Sequence, residues 1–172
     1  ILLFLFMKQH KVNIRPQTTI LSVLKFLEYE TWFALAEFVD NAIASYLLYE
    51  KELKVANGKD FKLEVKIEIN DAENKITIRD NAAGIHEEDY DRAFQAAEAP
   101  PDTSGLSEFG MGMKSAACWF SDEWTVRTKA LGETIEKTVH FNMKRIFEKK
   151  IEELEVETKA TNKNHHYTII EL

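Results

Sequence analysis

The segment Phe61-Lys-Leu-Glu-Val-Lys-Ile-Glu-Ile69 alternates strictly between apolar and charged residues. A period of two residues is typical of a β-strand with one face on the core and the other in water. The turn-forming sequence Asp71-Ala-Glu-Asn74 follows, and apolar residues then recur at Ile76 and Ile78. Because Asp and Asn favour tight turns, this stretch predicts a β-hairpin.

The segments on either side of the hairpin define the fold class. Apolar residues recur at three- and four-residue steps over residues 18–28 and 30–52, which predicts helices there. Further elements are a short helix at about 87–97, a helix at about 112–120, and strands around 124–130, 134–142, 154–160 and 166–172. Helices that gather early and strands that follow one another predict an α+β two-layer sandwich, with a mixed, mostly antiparallel sheet covered by helices on one face. Strand and helix do not alternate regularly, which argues against a parallel Rossmann-type sheet.

Length and composition limit the domain organisation. The 172 residues are 45% hydrophobic and 30% charged, which suits a single domain over 1–172 and rules out disorder throughout. The net charge of −7 argues against broad nucleic-acid binding. A single cysteine favours a reducing, cytoplasmic compartment. No apolar run approaches the roughly 18 residues that span a bilayer, so we expect no membrane association.

The start of the chain stands apart from this domain. Ile1-Leu-Leu-Phe-Leu-Phe-Met7 is apolar but short, and no basic region precedes it, so it is a poor signal peptide. Met7 reads as a natural start, which leaves residues 1–6 as either an addition or a strand that packs elsewhere. Residues 1–17 are therefore interpreted as an N-terminal extension.

A first group of polar residues lies on the helix predicted over 30–52. Glu37 and Asn41 are four residues apart in Ala36-Glu-Phe-Val-Asp-Asn-Ala-Ile43 and therefore share a helix face. A carboxylate there can orient a water molecule, and an amide oxygen can bind a hard cation such as Mg²⁺. The same pattern, taken alone, also fits a solvated stripe on an amphipathic helix.

A second group follows the second strand of the hairpin, in Ile76-Thr-Ile-Arg-Asp-Asn-Ala-Ala-Gly-Ile85. Asp80 at the mouth of a strand can accept a hydrogen bond from an exocyclic amine. Gly84 would allow the backbone to lie flat against a ring, because glycine has no Cβ. The alternative is that Asp80 and Asn81 only cap a turn.

A third group is glycine-rich, in Gly105-Leu-Ser-Glu-Phe-Gly-Met-Gly-Met-Lys-Ser115. Glycines that lead into a helix expose backbone N–H groups at its positive end, which is a common phosphate site. The sequence is not a Walker motif, because Met113 separates Gly112 from Lys114. A tight loop without a ligand is the alternative.

In this order, the three groups resemble the GHKL ATPase superfamily, which includes gyrase B, MutL, Hsp-class chaperones and histidine kinases. The phrases Ala-Glu-Phe-Val-Asp-Asn-Ala-Ile, Ile-Thr-Ile-Arg-Asp-Asn-Ala-Ala-Gly-Ile and Phe-Gly-Met-Gly-Met-Lys-Ser-Ala look closest to its MORC-like branch. The closing segment His166–Leu172 looks like the last strand of the family, in which a Thr reaches toward the adenine-binding Asp.

The resemblance implies a Bergerat ATP-binding fold that holds ATP and Mg²⁺. By analogy, Glu37 positions and deprotonates the attacking water, Asn41 binds Mg²⁺ and ATP, and Asp80 accepts the adenine amino group. The other ATP-binding positions implied are Gly84, Ile85, Gly110, Met111, Gly112, Met113, Lys114, Ser115 and Thr168. Residues 86–109 correspond to a lid. The implied partners are ATP and ADP, a homodimer formed on ATP binding, and a downstream domain or a protein or DNA client.

Three residues depart from the family pattern. Ala82 replaces the first glycine of the Asp-x-Gly-x-Gly box, and Ala44 replaces an acidic residue that many members carry. Tyr167 replaces the glycine that usually precedes the Thr of the last strand. One alternative is an ATP-binding switch with negligible hydrolysis. Another is a histidine-kinase-type catalytic domain, against which Glu37 weighs, because those kinases generally lack an acid four residues before the Asn.

Other conspicuous residues have ordinary interpretations. Trp32, Trp119 and Trp124 are predicted to lie in the core. His165 and His166 lack a third metal ligand and are interpreted as surface residues.

Overall fold

The computed structural model describes residues 28–94 and 112–172, together with Leu24 and Phe26. The helices of these ranges are α1 (Thr31–Leu48), α2 (Glu50–Asn57), α3 (Tyr90–Phe94), α4 (Gly112–Phe120) and α5 (Met143–Lys149), and a 3₁₀ turn (Glu87–Asp89) precedes α3. The strands are β1 (Val65–Asn70), β2 (Lys75–Asp80), β3 (Glu123–Lys129), β4 (Ile135–Asn142), β5 (Val156–Ala160) and β6 (Tyr167–Glu171). The N-terminal extension 1–17 and most of the helix predicted over 18–28 lie outside the described residues.

The strands form one sheet in the order β1-β2-β6-β3-β4-β5. Every pairing among the described strands is antiparallel, so the expectation of a mixed sheet is corrected to an antiparallel one. The last strand lies in the middle, between β2 and β3, and this position brings the end of the chain beside the hairpin. The predicted strand positions and the helix at 112–120 are confirmed.

The helices cover one face of this sheet, as the sequence predicted. A single core cluster contains Phe38 of α1, Ala116 of α4 and Ile146 of α5 together with buried residues of the strands. Trp124 and Phe141 stack within it, with ring centroids 3.7 Å apart. The fold is therefore an α+β two-layer sandwich with its core between the layers.

The hairpin is confirmed, but its first strand begins later than the alternation predicted. Residues 61–64 are not part of the strand, because the side chain of Asn81 forms hydrogen bonds with the backbone of Lys62 and Glu64. Asn81 Oδ1 accepts from the Glu64 N–H at 2.8 Å, and Asn81 Nδ2 donates to the Lys62 carbonyl at 3.1 Å. Since β1 is an edge strand, its apolar face is only partly covered, and Ile69 is 65% exposed.

The helical segment also differs from the prediction. The single helix expected over 30–52 is two helices that meet at Tyr49, whose backbone leaves the helical region at φ −113° and ψ 22°. The Tyr49 ring packs against the imidazole of His86, with centroids 4.7 Å apart. Helix α5 was not predicted. It begins at a cap in which Asn142 Oδ1 accepts from the Arg145 N–H at 2.8 Å.

The loop after β2 is fixed against the end of β3. Gly84 has φ +72°, and an added Cβ would overlap the carbonyl oxygen of Lys129. The neighbouring Ala83 carbonyl accepts from the Leu131 N–H at 2.8 Å. Glycine is required at position 84 because the two backbones touch there and because φ is positive.

Two glycine variants test this contact. Gly132 also has a positive φ, +81°, but nothing lies within 4 Å of a Cβ built there. Gly132→Ala should therefore lower the free energy of unfolding by about 1–2 kcal/mol, from backbone strain alone. Gly84→Ala should lower the free energy of unfolding by about 1–3 kcal/mol more, because its side chain would also overlap the backbone of Lys129. Denaturant unfolding of both variants measures the difference, and equal losses would contradict the contact.

Candidate active site

Asp80 ends β2 and is the most buried carboxylate of the site. It lies opposite Thr168 in the β2–β6 register. One of its oxygens, Oδ1, accepts from the Ala82 N–H at 2.9 Å, and the backbone of Thr168 supplies a further hydrogen bond. Burial nevertheless dominates and raises the pKa of Asp80 to about 6, although the two hydrogen bonds and Arg79 lower it. The sequence prediction that Thr168 approaches Asp80 is consistent with this pairing.

The raised pKa of Asp80 has a consequence for stability. In the folded chain this carboxyl holds its proton up to about pH 6, whereas its ordinary pKa is 3.8. The folded state therefore binds more protons in that window, and the free energy of unfolding falls as the pH rises through it. At neutral pH the fold maintains a charged carboxylate at a cost, which is typical of functional sites.

The loop that follows Asp80 is anchored by Thr128, a residue that the sequence analysis did not single out. Thr128 Oγ1 accepts from the Ile85 N–H at 2.8 Å and donates to the Tyr167 carbonyl at 3.2 Å. Thr128 Oγ1 is also 3.4 Å from Thr168 Oγ1. The sequence signal that could have identified Thr128 is its position in β3, two residues after Val126 and therefore on the same buried face. This hydroxyl joins the loop, β3 and β6 at one point.

Ala82, which replaces a glycine of the family pattern, fits its position. Its side chain is 1% exposed. Among the described non-glycine residues, only Asn74 and Lys150 have positive φ, so Ala82 needs no left-handed backbone. The substitution therefore leaves the turn intact.

Glu37 contacts the start of α4. A Cβ added to Gly112 would overlap Glu37 Oε2, so the carboxylate lies directly against the backbone at the N-terminus of that helix. Burial raises the pKa of Glu37, and the nearby charge of Asp40 adds to the effect. The two residues, far apart in sequence, meet because α1 packs along α4.

Asn41 lies one turn further along α1. Its side-chain Nδ2 donates to the Glu37 carbonyl at 2.6 Å. This hydrogen bond fixes the amide and directs its oxygen away from that backbone group. The oxygen is the atom that a cation would need.

The predicted phosphate-binding residues are described only in part. Gly110, Met111 and residues 95–109 of the proposed lid lie outside the described residues. Met113 packs partly buried against the core. Ser115 Oγ donates to the Gly112 carbonyl at 3.1 Å and lies 3.0 Å from the Tyr29 hydroxyl.

Lys114 is buried, at 2% exposure, and its side chain reaches α3. Its Nζ donates to the carbonyls of Arg92 at 3.1 Å and Ala93 at 3.0 Å, at the end of α3. Lys114 therefore joins α4 to the first part of the proposed lid. Its contact with a phosphate stays a prediction.

The fold thus arranges the predicted residues in two groups. One group surrounds the end of β2 and consists of Asp80, Gly84, Ile85 and Thr168. In the other, Glu37 and Gly112 meet at the start of α4, and Asn41 lies one turn further along α1. Both groups border one core, since Ile85 and Met113 pack against the same cluster. Across the part of the chain that the structure covers, no cluster of three His, Cys, Asp or Glu residues could hold a metal ion by itself. In the same part, no helix is long and apolar enough to cross a membrane.

Comparison with known proteins identifies the family. A family model for histidine kinase-, DNA gyrase B-, and HSP90-like ATPases matches residues 29–168. No curated protein matches the chain significantly. The matched range contains both groups of site residues and most of the two-layer fold. The chain therefore belongs to the family of histidine kinase-, DNA gyrase B- and HSP90-like ATPases, and it is an ATP-binding domain of the GHKL type.

Proposed function

We propose that this domain binds Mg²⁺ and ATP between α1, the loop after Asp80 and the start of α4, and that it hydrolyses the nucleotide. The observation that carries the proposal is the position of Glu37. A carboxylate held against the backbone N-terminus of a helix lies where a terminal phosphate would bind. The resemblance to MORC-like proteins and a cytoplasmic location stay predictions.

Glu37 has the properties of a general base. Burial and Asp40 raise its pKa, which increases its affinity for the proton of an attacking water. It lies beside the N-terminus of α4, a helix of nine residues whose dipole is positive at this end. The positive end of the dipole stabilises the charge of the phosphate while Glu37 orients the water.

The residues present fit a magnesium ion bound together with a nucleotide. Mg²⁺ usually takes one or two protein oxygens, with phosphate oxygens and water completing its shell. Asn41 offers one amide oxygen, fixed by the hydrogen bond from its nitrogen to Glu37. When bound, the ion would neutralise charge on the phosphates. The scarcity of other ligands is expected for such a site.

The adenine end of the site is supported by Asp80, and α1 carries a further buried polar atom on the side of Glu37 and Asn41. Asp80 presents an acceptor-only carboxylate when ionised, which suits an exocyclic amine. Ser45 lies one turn beyond Asn41 on α1, and its Oγ is buried without a hydrogen-bond partner among the described residues. A buried hydroxyl without a partner is costly, and a bound nucleotide would relieve that cost.

We further propose that nucleotide binding closes residues 86–109 over the site and favours a homodimer. The support is Lys114, which extends from the helix at the phosphate end to the carbonyls of Arg92 and Ala93. A phosphate bound at the start of α4 would therefore influence the position of α3, which belongs to the proposed lid, through Lys114. The partners that we propose for this ATP-dependent change are a downstream domain or a protein or DNA client.

Asp80→Asn tests the adenine contact. An amide can present an N–H to the adenine amine, so ATP affinity should fall by about 10- to 100-fold, corresponding to about 1–3 kcal/mol. Thermal unfolding at pH 7 should be unimpaired, because a buried charge is removed. Titration calorimetry measures the affinity, with Asp71→Asn in the exposed hairpin turn as the matched control. Parent-like affinity in Asp80→Asn would refute the contact.

The pH dependence of binding gives a second prediction. Because the pKa of Asp80 is about 6, its carboxyl becomes protonated and a weaker acceptor as the pH falls from 7 to 5. The parent should lose ATP affinity over this range more steeply than Asp80→Asn does. Ionisation of the nucleotide affects both proteins equally and cancels in the comparison. Parallel curves would show that Asp80 does not contact the base.

Glu37→Ala and Asn41→Ala separate hydrolysis from binding. Glu37→Ala should keep ATP affinity within a few-fold and lower turnover by about 10²–10⁴, the usual contribution of a general base. Asn41→Ala should weaken Mg²⁺-dependent ATP binding itself. Phosphate release and affinity are measured for both, with exposed Glu52→Ala as the control.

The same experiment distinguishes the alternatives. Unchanged turnover in Glu37→Ala would make Glu37 a bystander. A parent that binds ATP and changes its oligomeric state without turnover would be a switch.

Hydrogen exchange tests the lid. Residues 86–109 should become protected when ATP saturates the protein, while the hairpin turn at 71–74 should exchange equally in both states. Equal exchange of residues 86–109 with and without ATP would contradict closure.

A further inference from the structure

His166 is buried between the loop after Asp80 and the end of α2. The residue is 8% exposed, which corrects its interpretation as a surface residue, whereas His165 is exposed as expected. Its Nδ1 is 2.8 Å from the carbonyl oxygen of Ala82, in the loop after Asp80. Its Nε2 is 2.8 Å from Nδ2 of Asn57, at the end of α2. The edge of the imidazole packs against Phe61, with centroids 5.6 Å apart.

These partners determine which ring nitrogen carries the proton. A carbonyl oxygen can only accept, so Nδ1 must donate to Ala82. Asn57 Nδ2 also donates to the Leu53 carbonyl at 2.9 Å, and this orients the amide with its nitrogen toward the ring. Nε2 therefore accepts, and the imidazole is the neutral Nδ1–H tautomer.

The residue whose carbonyl His166 binds also contacts the Asp80 carboxylate. Ala82 accepts from His166 through its carbonyl and donates through its own N–H to Asp80 Oδ1 at 2.9 Å. Both bonds involve the same residue, so the imidazole restrains the donor that orients the carboxylate. We infer that His166 is a positioning residue for nucleotide binding: its Nδ1–H holds Ala82, and Ala82 holds Asp80 in the orientation that accepts the adenine amine. This inference rests on the proposed function.

The other anchors of the loop do not replace this one. Leu131 bonds to the Ala83 carbonyl and Thr128 bonds to the Ile85 N–H, and both contacts lie further from the carboxylate along the chain. Two residues after His166, Thr168 also bonds to Asp80. The segment 166–168 therefore restrains Asp80 from two sides.

Two amide variants each replace one of the two ring nitrogens. His166→Asn puts its amide nitrogen where Nδ1 lies, so that it can donate to Ala82. His166→Gln puts its amide oxygen where Nε2 lies, so that it accepts from Asn57 and leaves the Ala82 carbonyl without this donor. ATP affinity should stay within about threefold of the parent in His166→Asn and fall about tenfold in His166→Gln, the usual effect of one lost hydrogen bond. Titration calorimetry measures affinity, and thermal unfolding is followed in parallel. The control is exposed His165→Ala, which should match the parent.

The pH dependence of ATP binding tests the positioning role separately, because a change in packing alone would not shift its midpoint. The Ala82 hydrogen bond and Arg79 both lower the pKa of Asp80. Without the restraint from residue 166, the Ala82 N–H should bond Asp80 less well, so the midpoint of ATP binding should lie at higher pH in His166→Gln than in His166→Asn. Neither variant carries an imidazole, so titration of residue 166 does not enter the comparison.

Each outcome decides the inference. The expected affinities and midpoints support it. A parent that binds ATP, with His166→Gln binding equally well, would overturn the inference and leave the proposed function intact. Equal losses in both amide variants, with coincident midpoints, would assign His166 to packing and also overturn it. A parent that binds no ATP would overturn the proposed function and the inference together.

Discussion

The constraint to which the site is adapted is the burial of one carboxylate at the end of β2. Asp80 is removed from water at the point where β2 and β6 pair, and its raised pKa reflects the cost. Such a group is tolerated only where backbone donors surround it. The backbones of Ala82 and Thr168 provide them, and the loop that supplies Ala82 must therefore be held still. Gly84, Thr128 and His166 each hold a different part of that loop.

The second half of the site depends on a steric condition. Helix α4 has to begin with a residue that lacks a side chain, because the Glu37 carboxylate occupies the space where a Cβ would be. That arrangement puts a partly buried acid beside the positive end of a helix. The acid costs stability through its raised pKa, and the fold accepts this cost at the position that we propose for the general base.

Much of the local structure followed from the sequence, and the exceptions have physical causes. The alternation at 61–69 predicted a strand, yet residues 61–64 leave the ladder because Asn81 bonds their backbone. Tyr49 interrupts a helix that its periodicity would continue. Trp32 was predicted to be in the core and is 62% exposed, stacked on Phe33. At 61–64, a contact with a residue distant in sequence overrides the local pattern. At Trp32, the exposed position on α1 overrides the apolar character of the side chain.

The sequence by itself determined the type and order of most elements and the identity of the polar groups at Glu37, Asn41 and Asp80, because periodicity and residue chemistry are local properties. The tertiary structure alone decided which residues support those groups. Thr128 and His166 are ordinary in the sequence, and their roles arise only because β6 is inserted between β2 and β3. That insertion is a long-range pairing, and it brings residues 80–85 against residues 128 and 166 although no local pattern records the approach.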